Sequence, residues 1–160
     1  MPSETAYVYW DACVFLDYLN NSPGRADVIA DVLAQVERSK DKVMTSVLSR
    51  VEVAYVQEES LRHALEPQAE ARVDALWSDS SVIEIVEVNT EIAVLARQML
   101  REALRRGWKL KPLDAVHLGT AKWGGAREFH TYDADLFKYE EVIECKISEP
   151  YVSQGRLPNL

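Results

Sequence analysis

The sequence predicts an α/β fold in which a mostly parallel central sheet is flanked by helices on both faces. Three observations lead there: short apolar runs rich in β-branched and aromatic residues, longer stretches whose apolar residues recur at helical spacing, and the alternation of the two along the chain. Of the 160 residues 48% are hydrophobic, enough to bury a proper core, so 1–160 reads as one domain.

Tyr7-Val8-Tyr9-Trp10 is a buried strand ending at Asp11, and a helical stretch follows it. Asn20-Asn21-Ser22-Pro23-Gly24 makes a turn, after which Val28, Ile29, Val32, Leu33 and Val36 define an amphipathic helix. Lys42 to Thr45 is the second strand. Ser46 is placed to cap a helix with Val47, Val51, Ala54 and Tyr55 on its apolar side and Glu52 near its start. From Glu58 to Ser81 the chain reads as charged helix broken at Pro67, because proline lacks the amide hydrogen that a helix interior needs. Val82 to Val88 then alternates like a strand. Thr90 caps the clearest helix, whose apolar stripe is Ile92, Leu95, Ala96, Met99, Ala103 and Leu104, and Gly107 ends it. Pro112 suits the first turn of the next helix, which carries Asp114 and runs through Val116, Leu118 and Ala121 to Trp123 before Gly124-Gly125. Glu128 to Tyr132 and Val142 to Ile147 complete the pattern as two more strands.

The net charge of -8, from 26 acids against 18 Lys and Arg, repels a phosphate backbone unless metal or a local basic patch intervenes. Cys13 and Cys145 form no C-x-x-C pair and are too few for a disulfide framework, which fits a reducing compartment with the cytoplasm as the default. No basic stretch precedes an apolar one at the N-terminus, and no run approaches the ~18 apolar residues a membrane span needs.

In open α/β sheets the functional crevice lies beyond the carboxyl ends of the strands. Asp11 directly follows the first strand, Glu52 lies within two turns of the end of the second, Asp114 opens a helix, and Asp133 follows Phe129-His130-Thr131-Tyr132. All four carboxylates therefore face one end. Clustered carboxylates repel unless protons or cations intervene, and hard oxygen donors suit Mg²⁺ or Mn²⁺. An ion held there activates water and polarises a scissile phosphate, so no protein nucleophile is required. The local alternative is that Asp11 and Asp133 merely terminate strands and Asp114 merely complements a helix dipole.

Trp10-Asp11-Ala12-Cys13-Val14-Phe15-Leu16, Ser46 through Glu52, Leu113-Asp114-Ala115-Val116-His117-Leu118 and Thr131-Tyr132-Asp133-Ala134-Asp135-Leu136-Phe137 resemble the four acidic motifs of PIN-domain nucleases, VapC-type toxins most of all. The resemblance runs in order and with compatible spacing from about Tyr7 to Ile147. It implies a three-layer PIN-like fold and a Mg²⁺- or Mn²⁺-dependent endoribonuclease that leaves a 5′-phosphate, the toxin of a type II toxin–antitoxin pair. It further implies that Asp11, Glu52, Asp114 and Asp133 are catalytic and hold metal directly or through water, with Thr131, Asp135 and Ser46 in support. The partners it implies are an RNA substrate, an antitoxin that lays a basic or apolar segment across the groove, and a second copy in a homodimer. The family commonly has Asn or Ser two residues after the first Asp, where this chain has Cys13, which leaves the hydrogen bond made from that position open. Cys13 is read as a packing residue, since no His stands in a recognisable relation to it as a base. His117, three residues after Asp114, is read as a packed helix histidine, the alternatives being that it orients Asp114 or meets substrate.

Arg97, Arg101, Arg105, Arg106, Lys109 and Lys111 fall in one stretch where Glu102 is the only acid. Spaced four apart, Arg97, Arg101 and Arg105 share a helix face and offer a substrate track, with Trp108 as a stacking surface; cations near a helix C-terminus also complement its dipole. Trp77 and Trp123 are read as core. Two rival functions differ in class. One is a catalytically inactive PIN-like module that binds RNA or protein without cutting. The other is a phosphohydrolase with an Asp nucleophile, but Asp11-Ala12-Cys13 lacks the second acid of such a motif and no Gly-rich phosphate loop is present.

Overall fold

In the computed structural model, which describes residues 4–79 and 81–153, β1 (Tyr7–Trp10) is followed by α1 (Ala12–Leu19), α2 (Ala26–Ser39) and β2 (Lys42–Ser46). Three helices, α3 (Ser49–Glu52), α4 (Gln57–Arg62) and α5 (Pro67–Ser78), lead to β3 (Ile83–Val86). The long α6 (Thr90–Arg105) and α7 (Pro112–Trp123) precede β4 (Glu128–His130), a 3-10 helix over Ala134–Tyr139, α8 (Glu140–Ile143) and β5 (Lys146–Ser148). The strands form one parallel sheet in the order β3-β2-β1-β4-β5. The chain thus leaves β1 toward β2 and β3, then returns to the opposite side of β1 as β4. Strand order reverses between β1 and β4, the place at which open α/β sheets bind their ligands, beyond the carboxyl ends of the strands.

The apolar run Tyr7 to Trp10 makes a central strand because both of its faces are covered. Alternate residues point to opposite sides: Val8 and Trp10 enter a core with α1, α2 and α5, while Tyr9 enters a second core with α6 and α7. The α6 and α7 helices approach closely at Gly119, where an added Cβ would stand 3.2 Å from the Ala96 amide nitrogen and 3.3 Å from the Ile92 carbonyl oxygen. No helix among the described residues is long and apolar enough to cross a membrane.

Several expected details shift. Ser46 does not cap a helix: β3 extends far enough for Val86 to pair with it, so Ser46 stays in β2, and its hydroxyl accepts the Leu48 amide at 3.2 Å. α3 is a single turn, after which the chain bends to bury Val53 and Val56, leaving Val51 and Tyr55 exposed. Asn89, not Thr90, caps α6, because its extended backbone lets the side-chain oxygen accept the Ile92 amide at 2.8 Å. Leu104 is 81% exposed; it lies about 100° around the helix from buried Ala103, too far to share its face. Trp77 does pack against the core, its ring tilted against Phe15 at 5.1 Å, whereas Trp123 is 43% exposed and donates to Glu91 at 2.7 Å. The strands expected at Val82 to Val88 and Glu128 to Tyr132 are shorter, and Val142 and Ile143 belong to α8, with β5 beginning at Lys146. Pro67 separates α4 from α5 by starting the latter, and the expected helical span ran past Ser80, which lies outside the described residues.

Candidate active site

Asp11 occupies the capping position of α1 in extended conformation, yet its side chain makes no capping bond. It turns toward the segment after β4. There Thr131 Oγ1 donates to Asp11 Oδ2 at 2.6 Å, and Cys13 Sγ donates to Oδ1 at 2.8 Å. Thr131 also accepts the Asp133 amide at 3.0 Å, so one buried hydroxyl ties two acidic segments together. The bond left open by the Cys13 replacement is therefore made by a thiol. Burial, then the charge of Asp11, pushes that thiol well above its ordinary pKa, which agrees with a donor and not with a nucleophile.

Asp114 sits half-buried in the first turn of α7. A helix N-terminus alone would lower its pKa. Instead it is raised, by burial first and then by the charge of Asp133, with Glu52 adding to the effect and His117 and Lys111 opposing it. Asp11 is raised too, again by burial first; the bonds from Cys13 and Thr131 oppose that, and the charge of Asp114 reinforces it. Asp114 thus lies within electrostatic reach of Asp11, Glu52 and Asp133, where β1, β2 and β4 end. Asp133 does have a local role, its Oδ1 accepting the Asp135 amide at 3.0 Å as it caps the 3-10 helix, while Asp135 is exposed.

The donor set is carboxylate oxygen, and burial and neighbouring charge oppose ionisation of Asp11 and Asp114, the condition a hard divalent cation relieves. The set therefore fits Mg²⁺ or Mn²⁺ in chemistry. Among the described residues no three His, Cys, Asp or Glu side chains already stand in an arrangement that would hold an ion.

His117 is buried as expected for a packed histidine, but it is also hydrogen-bonded at both nitrogens. Its Nδ1 lies 2.6 Å from the Tyr9 hydroxyl and its Nε2 2.6 Å from Glu52 Oε1. Its partner is Glu52 rather than Asp114. The i+3 spacing from Asp114 was the one sequence signal that this residue faces the site.

Arg97, Arg101 and Arg105 are exposed on α6. Arg105 Nε donates to Glu102 at 2.9 Å and Arg106 Nε to the same carboxylate at 2.7 Å, holding Glu102 at a pKa of about 2. Among the described residues Arg97 and Arg101 make no such pair. Trp108 is half-buried edge-on against Tyr139 at 5.1 Å, with Arg106 and Lys138 over its ring at 4.8 and 5.2 Å, so packing already uses the surface expected to stack bases. The Tyr139 hydroxyl is buried with no hydrogen-bond partner among the described residues, and burial followed by the charge of Asp114 raises its pKa.

An all-parallel sheet with acids gathered at its reversal point defines a class, and the PIN domain profile matches residues 8–142: the chain belongs to the PIN domain family. Among solved structures it is similar to the VapBC2 complex of Rickettsia felis bound to a promoter DNA fragment, with TM-score 0.67 and 10% identity over 89% of this chain and 98% of that one. It is also similar to FitAcB of Neisseria gonorrhoeae, with TM-score 0.64 and 16% identity over 89% and 97%. A third likeness is to VapC20 of Mycobacterium tuberculosis, described as a toxin cleaving the sarcin–ricin loop, with TM-score 0.59 and 17% identity over 80% and 91%. No curated protein sequence matches the chain.

Proposed function

We propose that this chain is a cytoplasmic Mg²⁺- or Mn²⁺-dependent endoribonuclease, the toxin of a type II toxin–antitoxin pair. The observation that carries the proposal is the gathering of Asp11, Glu52, Asp114 and Asp133 at the strand-order reversal, with Asp11 and Asp114 held above their ordinary pKa. The ion supplies Lewis-acid polarisation of the scissile phosphate and acidifies a water. The chain's own groups hold the ligands: Thr131 and Cys13 orient Asp11, and the Thr131 hydroxyl fixes the Asp133 backbone. Ser46, at the end of β2, anchors the turn that leads to Glu52. Arg97 and Arg101, with Arg105 beside them, offer cations to an RNA backbone that the net charge otherwise repels. The antitoxin partner is supported by likeness to toxins solved in VapBC and FitAB complexes, and an RNA substrate by likeness to VapC20. A homodimer belongs to the same reading.

Cleavage of mixed single-stranded and structured RNAs by the purified, partner-free protein tests it, with Mg²⁺, Mn²⁺ or EDTA and an Asp114→Asn control. Cleavage that needs metal and is lost in the variant is expected. The second reading, an inactive PIN module that binds RNA or protein, draws on the absence of a ready-made ligand arrangement among the described residues. Metal binding with no cleavage of any RNA would favour it.

A further inference from the structure

We propose that Tyr9 and His117 form a positioning relay that fixes the Glu52 carboxylate for its ion; this rests on the metal-dependent reading above. Glu52 ends a helix of a single turn and is half-buried, so its own element does little to orient it. Among the described residues its one side-chain partner is His117.

The relay's polarity follows from the number of hydrogens available. The Ser46 backbone amide can only donate, so the Tyr9 oxygen accepts from it at 3.1 Å. The single phenolic hydrogen then goes to His117 Nδ1 at 2.6 Å. With Nδ1 accepting, the neutral imidazole carries its hydrogen on Nε2, aimed at Glu52 Oε1 at 2.6 Å. The Thr45 and Thr120 hydroxyls also stand near the phenol, and each donates to a backbone carbonyl, Thr45 to Trp10 and Thr120 to Val116. The phenol is held in place, stacked on Phe129 at 4.9 Å and edge-on to the imidazole at 5.8 Å. Four elements, β2, β1, α7 and α3, thereby deliver one N–H to one carboxylate oxygen. Oε1 is committed and Oε2 is left for an ion or its water. Tyr9 and His117 act through Glu52, as groups behind metal ligands commonly do.

The first test is ¹⁵N-histidine NMR of the metal-free wild-type protein, where His117 is expected wholly as the Nε2–H tautomer. The second is Mn²⁺ binding by calorimetry. Tyr9→Phe and His117→Leu are expected to weaken it about tenfold, the size found for other groups behind metal ligands, with His117→Gln recovering part of the loss through its amide N–H. Asp114→Asn should leave the tautomer unchanged while abolishing cleavage. Mn²⁺ binding by a wild-type protein whose His117 carries its hydrogen on Nδ1 would overturn the relay alone. Folded Tyr9→Phe and His117→Leu variants with Mn²⁺ affinity within about twofold of wild type would do the same, by removing the energetic role that such groups have. A wild-type protein that shows the Nε2–H tautomer but binds no Mn²⁺ and cuts no RNA would overturn both the relay's purpose and the nuclease reading. The wild-type measurement stands even where a variant fails to fold.

Discussion

Thr131→Val keeps the shape of a fully buried side chain and deletes one hydroxyl, so it isolates what that hydroxyl does for Asp11. Two bonds are lost. The 2.6 Å donation to Asp11 is a bond to a charged group, worth about 1.5–3 kcal/mol when its partner stays buried. The 3.0 Å bond from the Asp133 amide is worth less, about 0.5 kcal/mol, because Asp133 is exposed and water can replace it. Near neutral pH with EDTA present, urea unfolding should therefore show a loss of about 2–3.5 kcal/mol with an unchanged m-value. The penalty should depend on pH. Asp11 has a folded pKa above its unfolded one, so as pH rises through that window the unfolded state binds fewer protons and the metal-free protein loses stability. The Thr131 bond favours the ionised form and limits that loss, so its deletion raises the folded pKa further and deepens it. At about pH 3, with Asp11 protonated in both states, only a neutral hydrogen bond remains to lose and the penalty should fall to about 1 kcal/mol. An equal penalty at both pH values would refute this reasoning, since it would place the cost in packing and not in the charge of Asp11.

Glu59 accepts the Val56 amide at 3.1 Å and the Glu66 amide at 2.8 Å, tying the start of α4 to the start of α5. Those bonds, the one from Glu66 first, hold its carboxyl below the ordinary range. The stabilisation is therefore present above the unfolded glutamate pKa and fades as pH falls through the folded one. Glu59→Ala should lower Tm near neutral pH, with the gap to wild type closing in acid; a gap that persists in acid would mean lost packing. Gly119→Ala places a methyl between α6 and α7, where the backbone of Ile92 and Ala96 must shift by a few tenths of an ångström to admit it, and should cost about 1–3 kcal/mol by urea unfolding. A neutral result there would show that the two helices separate easily.

The class of fold and the placement of the acids were legible in the sequence because both depend on local pattern. A parallel strand covered on both faces must be apolar throughout, as Tyr7 to Trp10 is, and a helix covered on one face must repeat its apolar residues, as Ile92 to Ala103 does. Asp11, Asp114 and Asp133 stand at the ends of such elements, so knowing the elements suffices to send them toward one edge. Where the local pattern was insufficient, a competing contact decided: pairing with Val86 kept Ser46 in its strand, and a bend after a single turn exposed Val51 and Tyr55. What surrounds each acid was another matter. Thr131 meets Asp11 across 120 positions, Tyr9 meets His117 across 108, and His117 meets Glu52 across 65. No periodicity encodes bonds between groups so far apart along the chain; they exist because the sheet order brings β1 between β2 and β4 and lays α7 over Tyr9. The sequence by itself placed Asp11, Asp114 and Asp133 at the ends of elements that meet at one edge of the sheet, while only the tertiary structure decided which hydroxyl, thiol and imidazole bond to the acids, because hydrogen bonds act over about 3 Å and only packing brings distant residues that close.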